Sequence, residues 1–256
     1  VEAVLAAFPA PRVRIALAPE RHARWWRTAV APEGTPLDAP PPGVAPDASP
    51  APAPGSPSLA AAMGLLSDGL FHELGLAFPV DVVADPSLGP TQLRVLLNDL
   101  PGPARDGLAE DEWFADCDRS RAPSLGPVAR YVPSPIDGRE GAVLAGAGAG
   151  ATCAGAGIAA WNACDVVALH AGLAIRRDAG ALVSVRLAAY YLVQLARVSP
   201  VLAAELEARL DHATIARTLR ALVDDGIAVR DLATIGEALL AVSGSLPVDP
   251  ARHIVL

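Results

Sequence analysis

The run Gly146-Ala147-Gly148-Ala149-Gly150-Ala151 has the spacing of a dinucleotide-binding turn. In such a turn, glycines let backbone N–H groups approach a pyrophosphate. The run follows strand-like residues 142–145 (AVLA), and Asp165 stands 19 residues after Gly146, where a ribose-binding acid would be sought. That acid should close a second strand. None is legible before Asp165, which instead heads an apolar helical run, and Gly/Ala alternation meets the pattern by composition alone. Asp106, Glu110, Asp111, Glu112, Asp116 and Asp118 could attract a divalent cation, but their spacing fits no calcium loop. Their surroundings, residues 102–135, read as irregular, with Trp113-Phe114 as two anchors tucking a surface segment. Neither G-x-S-x-G nor H-E-x-x-H occurs. His72 and His170 lie in helical patterns and read as packed or surface histidines. Tyr190-Tyr191 reads as core and interface. Cys117, Cys153 and Cys164 are too few and scattered for a disulfide framework or a zinc site. No catalytic residue, metal ligand, cofactor-binding residue or cofactor is therefore assigned.

A third chemistry is nucleic-acid binding. Residues 214–225 and 230–241 can be read as a helix-turn-helix with Arg217, Arg220 and Arg230 toward phosphate. Asp224, Asp225, Asp231 and Glu237 cancel that field. The formal net charge is −8 and the pI about 5.1, the wrong sign for a phosphate-binding surface. Lysine is absent, so every basic side chain outside the five histidines is arginine. A dinucleotide-binding, oxidoreductase-like domain and a winged-helix nucleic-acid binder stand as the second and third readings.

Residues 12–18 (RVRIALA) alternate Arg12 and Arg14 with Val13, Ile15 and Leu17, a half-buried strand. Residues 32–57 hold ten prolines and read as an extended loop or linker. Ser56-Pro57 should cap and open a helix whose face is Leu59, Met63, Leu66, Leu70 and Leu74, ended by Gly75. Strands follow at 80–84 and 92–97, across a turn-rich Asp85–Pro90 connection. Residues 141–164 carry no charge, but their Gly/Ala composition reads as a loop after a short strand rather than a membrane span. Beyond them the pattern is helical. Asp165 should cap a helix bearing Val166, Leu169, His170 and Leu173. Ser184, Ser199-Pro200, Asp211 and Arg230-Asp231 should open four more, with Gly226 ending the penultimate and Gly244 the last.

Two stretches carry a resemblance to a known family. Residues 205–240, ELEARLDHATIARTLRALVDDGIAVRDLATIGEALL, resemble the FHIPEP signature. That signature is a helix ending in L-x-x-L, a short acidic turn with glycine, then an R-D-L-x-x-I-x-E-x-L helix. Leu219, Leu222, Gly226, Ile227, Arg230, Asp231, Leu232, Ile235, Glu237 and Leu239 match it. Residues 71–101, FHELGLAFPVDVVADPSLGPTQLRVLLNDLP, resemble the family's E-x-G-x-x-x-P, strand, D-x-x-L-x-P, strand, N-D-x-P run. Residues 165–177 and 181–191 are similar to its central helices.

The resemblance implies the cytoplasmic domain of a type III secretion export gate, of flagellar or virulence type, on the cytoplasmic face of the bacterial inner membrane. Relative to the family pattern, the multi-span membrane half and most of the last subdomain are not in these 256 residues. The implied function is non-enzymatic: a homo-oligomeric ring of about nine subunits that engages export chaperones, secreted proteins and soluble export machinery. The flagellar members' chaperone groove is flanked by Asp-Pro-x-Phe and Thr-His. The matching positions here are Ser134-Pro135-Ile136-Asp137 and Leu169-His170, so Ser134, Asp137, Leu169 and His170 are the implied contacts. Gly226, Arg230, Asp231 and Glu237 are implied as a structural motif. The fold class is α+β. A first sheet-and-helix subdomain spans 1–31 and 58–101, with the 32–57 loop between. A Gly-rich second subdomain is inserted at 102–161, and a helix at 162–182 completes the first. A compact helical subdomain covers 183–244, and 245–256 start a last one.

Overall fold

A computed structural model describes residues 12–25, 58–76, 78 and 80–243. The proline-rich stretch, Gly244 and residues 245–256 lie outside the described residues. The fold is α+β, with two sheets and a helical layer.

The first sheet is built on β1 (Val13–Leu17), which pairs in parallel with β2 (Val80–Ala84) and antiparallel with β3 (Gln92–Leu97). Val13, Ile15 and Leu17 are fully buried, while Arg14 reaches outward to Asp99 at 2.9 Å. Between β1 and β2 lie α1 (Pro19–Trp25) and α2 (Leu59–Leu74). The cap of α2 is Ser58, whose Oγ accepts from the Ala61 N–H at 3.4 Å, two residues beyond the expected Ser56. Gly75 ends α2 in the left-handed conformation (φ 75°), as expected from the sequence. The strand pair 80–84 and 92–97 also matches the expectation. Asp85 holds the connecting turn by accepting from the Ser87 N–H and Oγ and from Arg94. Asn98 (φ 49°) and Asp99 (φ 68°) form a two-residue hairpin turn, whose positive φ values suit Asn and Asp. It leads from β3 into β4 (Leu100–Pro101), and β5 (Arg105–Asp106) then returns to the same edge of β3.

Residues 102–135 are more regular than expected. β6 (Glu112–Ala115), β7 (Val128–Pro133), β8 (Glu140–Ala145) and β9 (Ala160–Trp161) form a second, antiparallel sheet in the order β7-β8-β6-β9. Phe114 is buried at the centre of that sheet rather than tucking a surface segment. The Gly/Ala run is not a loop: α3 (Ala149–Gly155) crosses from β8 to β9, which is also the second strand not legible in the sequence. At Gly150 a side chain is excluded, since a Cβ there would stand 2.5 Å from the Trp113 ring.

α4 (Ala163–Arg177) returns to the first sheet and packs against α2 and β3. Asn162, not Asp165, is its N-cap. Asn162 Oδ1 accepts from the Cys164 and Asp165 N–H groups, and the Asp165 carboxylate accepts from the Asn162 N–H, a reciprocal capping box. The buried stripe runs through Cys164, Val167, Ala171 and Ile175, so Leu169, His170 and Leu173 are turned outward of the expected face. The reason is close approach: a Cβ on Gly172 would meet Leu66 at 2.9 Å. Small residues bring α4 onto α2 and rotate the larger ones to the rim.

α5 (Val185–Val198), α6 (Pro200–Arg209), α7 (His212–Asp224) and α8 (Leu232–Ser243) follow with short connections. Ser184, Asp211 and Asp231 accept from the backbone N–H groups of Leu187, Thr214 and Thr234, as their positions in sequence suggest. Pro200 opens α6, and Gly226 (φ 76°) follows α7. Their apolar faces join those of α2, α4 and the first sheet in one continuous core. Among the described residues, no helix is long and apolar enough to cross a membrane.

Candidate functional site

The outward rotation of α4 places Leu169 and His170 on different sides of one helix. Leu169 lines a cavity of about 250 Å³ between α2 and α4, with Leu65, Leu66, Trp161 and Arg176. His170 lines a cavity of about 320 Å³ on the other side, against β3, β4 and β5, with Val95, Leu97, Arg105 and Leu173. Burial depresses the His170 pKa, and the nearby Arg105 charge lowers it further. Both effects favour a neutral imidazole at neutral pH.

Ser134 and Asp137 lie in the tight turn joining β7 to β8 and line neither cavity. Ser134 is buried, and its Oγ accepts from the Ile136 N–H at 3.1 Å. Asp137 is exposed, accepts from the Arg139 N–H at 3.0 Å and pairs with its guanidinium at 3.3 Å. The structure therefore separates the four residues into a turn and two helix faces. Leu100, Arg105 and Leu173, which complete the larger cavity, carried no motif. Leu173 was expected on the apolar face of its helix and is instead 45% exposed.

Residues 226–231 pack at the end of α2. The Val229 N–H donates to the Leu74 carbonyl at 2.9 Å, and the Tyr191 hydroxyl donates to the Gly75 carbonyl at 2.6 Å. A Cβ on Gly75 would stand 2.5 Å from the Arg230 nitrogen. The segment before α8 thus crosses directly over the end of α2. Gly226 supplies the turn into it, Asp231 caps α8, and Glu237 stands exposed on α8. The N-D pair makes a second junction: Asn98 accepts from the Arg12 N–H at 3.1 Å and donates to the Ala181 carbonyl at 2.5 Å. A third lies at Gly180, whose N–H donates to Asp224, while Arg220 donates to the Gly180 and Val183 carbonyls. Between α2 and α4, Glu73 and Arg176 form a bidentate pair.

Several residues of the other readings have structural partners. Gly150 packs on Trp113, and Asp165 is committed to the capping box. Arg220 donates to the Gly180 and Val183 carbonyls, and Arg217 donates to Thr214. Glu110 and Glu112 pair with Arg24 and Arg130, while Asp118 caps its own turn. No group of three metal-ligating side chains occurs among the described residues. All three cysteines are buried, and burial pushes the Cys164 thiol up to about 12.

Comparison with solved structures shows the same fold. The Chlamydia pneumoniae CdsV structure matches with a TM-score of 0.70 and 16% identity, covering 93% of this chain and 67% of that one. Shigella flexneri MxiA matches at 0.58 and 13%, covering 93% and 61%. The nonameric EPEC SctV-C structure matches at 0.55 and 13%, covering 94% and 61%. The chain thus spans about two thirds or less of the length of each. No curated protein matches its sequence. The FHIPEP family pattern matches residues 54–251, through both the sheet-bearing and the helical parts. This chain belongs to the FHIPEP family, and its fold is that of type III secretion export-gate cytoplasmic domains.

Proposed function

We propose that this chain is a ring-forming cytoplasmic subunit of a type III secretion export gate at the bacterial inner membrane. It would bind export substrates, their chaperones and soluble export machinery, and catalyse no reaction. The observation that carries this reading is the family match over residues 54–251. Supporting it, one solved relative in fold is a nonamer, and CdsV has been solved in complex with CdsO. Ser134, Asp137, Leu169 and His170 are the proposed contacts for chaperoned cargo. The proposed organisation is a first subdomain (1–31 and 58–101, completed by 162–182), an inserted one (102–161) and a helical one (183–244). The test is secretion by the bacterium that makes the protein. Deleting the gene should stop export of type III substrates, and normal export would overturn the function. Leu169→Glu with His170→Glu should reduce export without lowering protein abundance, and unchanged export would overturn the contact assignment.

A further inference from the structure

β4 and β5 are two halves of one edge strand. On β3, Leu97 and Leu96 face Leu100 and Pro101, and Leu93 and Gln92 face Arg105 and Asp106. Between these pairings, residues 102–104 stand opposite only Arg94 and Val95. The extra residue bulges the edge away from the sheet, leaving one bond from the Gly102 N–H to the Val95 carbonyl at 2.9 Å. The cavity of about 320 Å³ opens beside this break, between the edge and α4. Its size falls at the lower end of ligand-binding clefts, about 300–1,000 Å³.

The lining dictates what fits. Val95 and Leu97 form a buried apolar floor, while Leu100 is 73% exposed and Leu173 45% exposed at the rim. Pro101 and Pro103 remove two N–H donors from the edge, so the site does not offer a ladder for an added strand. Recognition must come through side chains. The charged groups at the rim are Arg105, Arg177 and Asp178. Arg177 is taken by Asp178 at 2.7 Å. Arg105 has no ion pair among the described residues. A protein of net charge −8 thus presents an apolar cleft with an unneutralised guanidinium at its mouth.

We propose that this cleft docks an acidic, leucine-bearing segment of a partner protein, one aliphatic side chain entering over Val95 and Leu97 and a carboxylate pairing with Arg105. The complementarity is specific in sign: a basic segment would meet Arg105 and lose the interaction. The inference does not depend on the export-gate reading, because it concerns binding by the isolated chain.

The test uses the whole chain with its methyl groups isotope-labelled for nuclear magnetic resonance. The probes are two capped eight-residue peptides, one of Glu-Glu-Leu-Leu repeats and one of Lys-Lys-Leu-Leu repeats. The acidic peptide should shift the methyl signals of Val95, Leu97, Leu100 and Leu173 and bind about tenfold or more tightly than the basic one. Arg105→Glu should abolish that preference, and its affinity for the basic peptide should rise. Should Arg105→Glu disturb the fold, Arg105→Gln must still weaken acidic-peptide binding. Shifts mapping elsewhere, equal affinity for the two peptides, affinity unchanged in the Arg105 variants, or no shift at millimolar peptide would each overturn the proposal.

Discussion

Gly75 and Gly226 hold nearly the same backbone angle, φ 75° and 76°, in different surroundings. Around Gly226 nothing lies within 4 Å of an added Cβ, whereas at Gly75 the backbone of Arg230 stands at 2.5 Å. Gly226→Val should therefore cost about 1–2 kcal/mol, from backbone strain alone. Gly75→Ala adds a clash with main chain that cannot swing aside and should cost about 1–3 kcal/mol more than the same change at Gly226. Urea midpoints would check both, and equal losses would contradict the close crossing. His170 gives a pH prediction. Its folded pKa is depressed below the ordinary value of about 6.5. Its contribution to stability is therefore full above that value and lost as pH falls through the folded pKa. Arg105, Arg177 and Asp178 share its cavity, so Arg105→Gln should raise the folded pKa toward the ordinary value. A proton titration of the ring signals in both proteins would show it, and identical curves would remove Arg105 as a cause.

At the scale of elements, α4 rests on its capping box. Asn162→Ala should destabilise by about 1 kcal/mol, and Asn162→Asp should retain most of that, measured by thermal unfolding; equal losses would mean that the cap contributes little. The box also shows what could be read beforehand. Asn162 and Asp165 both carry oxygen acceptors three residues apart, and the sequence pointed to the second because the apolar run starts there. The helices α5 to α8 were legible because each pairs a capping side chain, or Pro200 in the case of α6, with large apolar residues at helical spacing. β1, β2 and β3 were legible from alternation bounded by turns. Of the second sheet only β8 was, as the strand-like residues 142–145; the rest was not, for physical reasons. β6 carries Glu112, whose charge is answered by Arg130 from β7, so it reads as polar until the pairing is known. α3 needs Gly150 under Trp113, and glycine erases the periodic signal. The outward turn of Leu173 was hidden because Ala171 and Gly172 look too small to define a buried face. Ser134, Asp137, Leu169 and His170 came from the family resemblance. Their distribution over a turn and two helix faces could not be read from spacing along the chain.

For the molecule as a whole, the acidic balance and the proposed ring bear on each other. Subunits carrying −8 each repel at low salt. A tether that confines them to a plane raises effective concentration to about the millimolar range. The chain should therefore be mostly monomeric by light scattering in dilute solution and form rings when fused to a membrane span. Absence of rings on the tether would contradict the proposed assembly. The clasp at the end of α2 has a separate consequence, for synthesis. The Gly75 carbonyl waits for a hydroxyl 116 residues further on, and the Leu74 carbonyl waits for Val229. Distant closures of this kind are slow, and chains emerge at about 5–20 residues per second. The first sheet and α2 thus leave the ribosome several seconds before the groups that finish them, so the nascent chain has a window in which α2 is made but its C-terminal end is still unfinished. A ribosome stalled before Val229 should display α2 still open to proteolysis, and release of the full chain should close it.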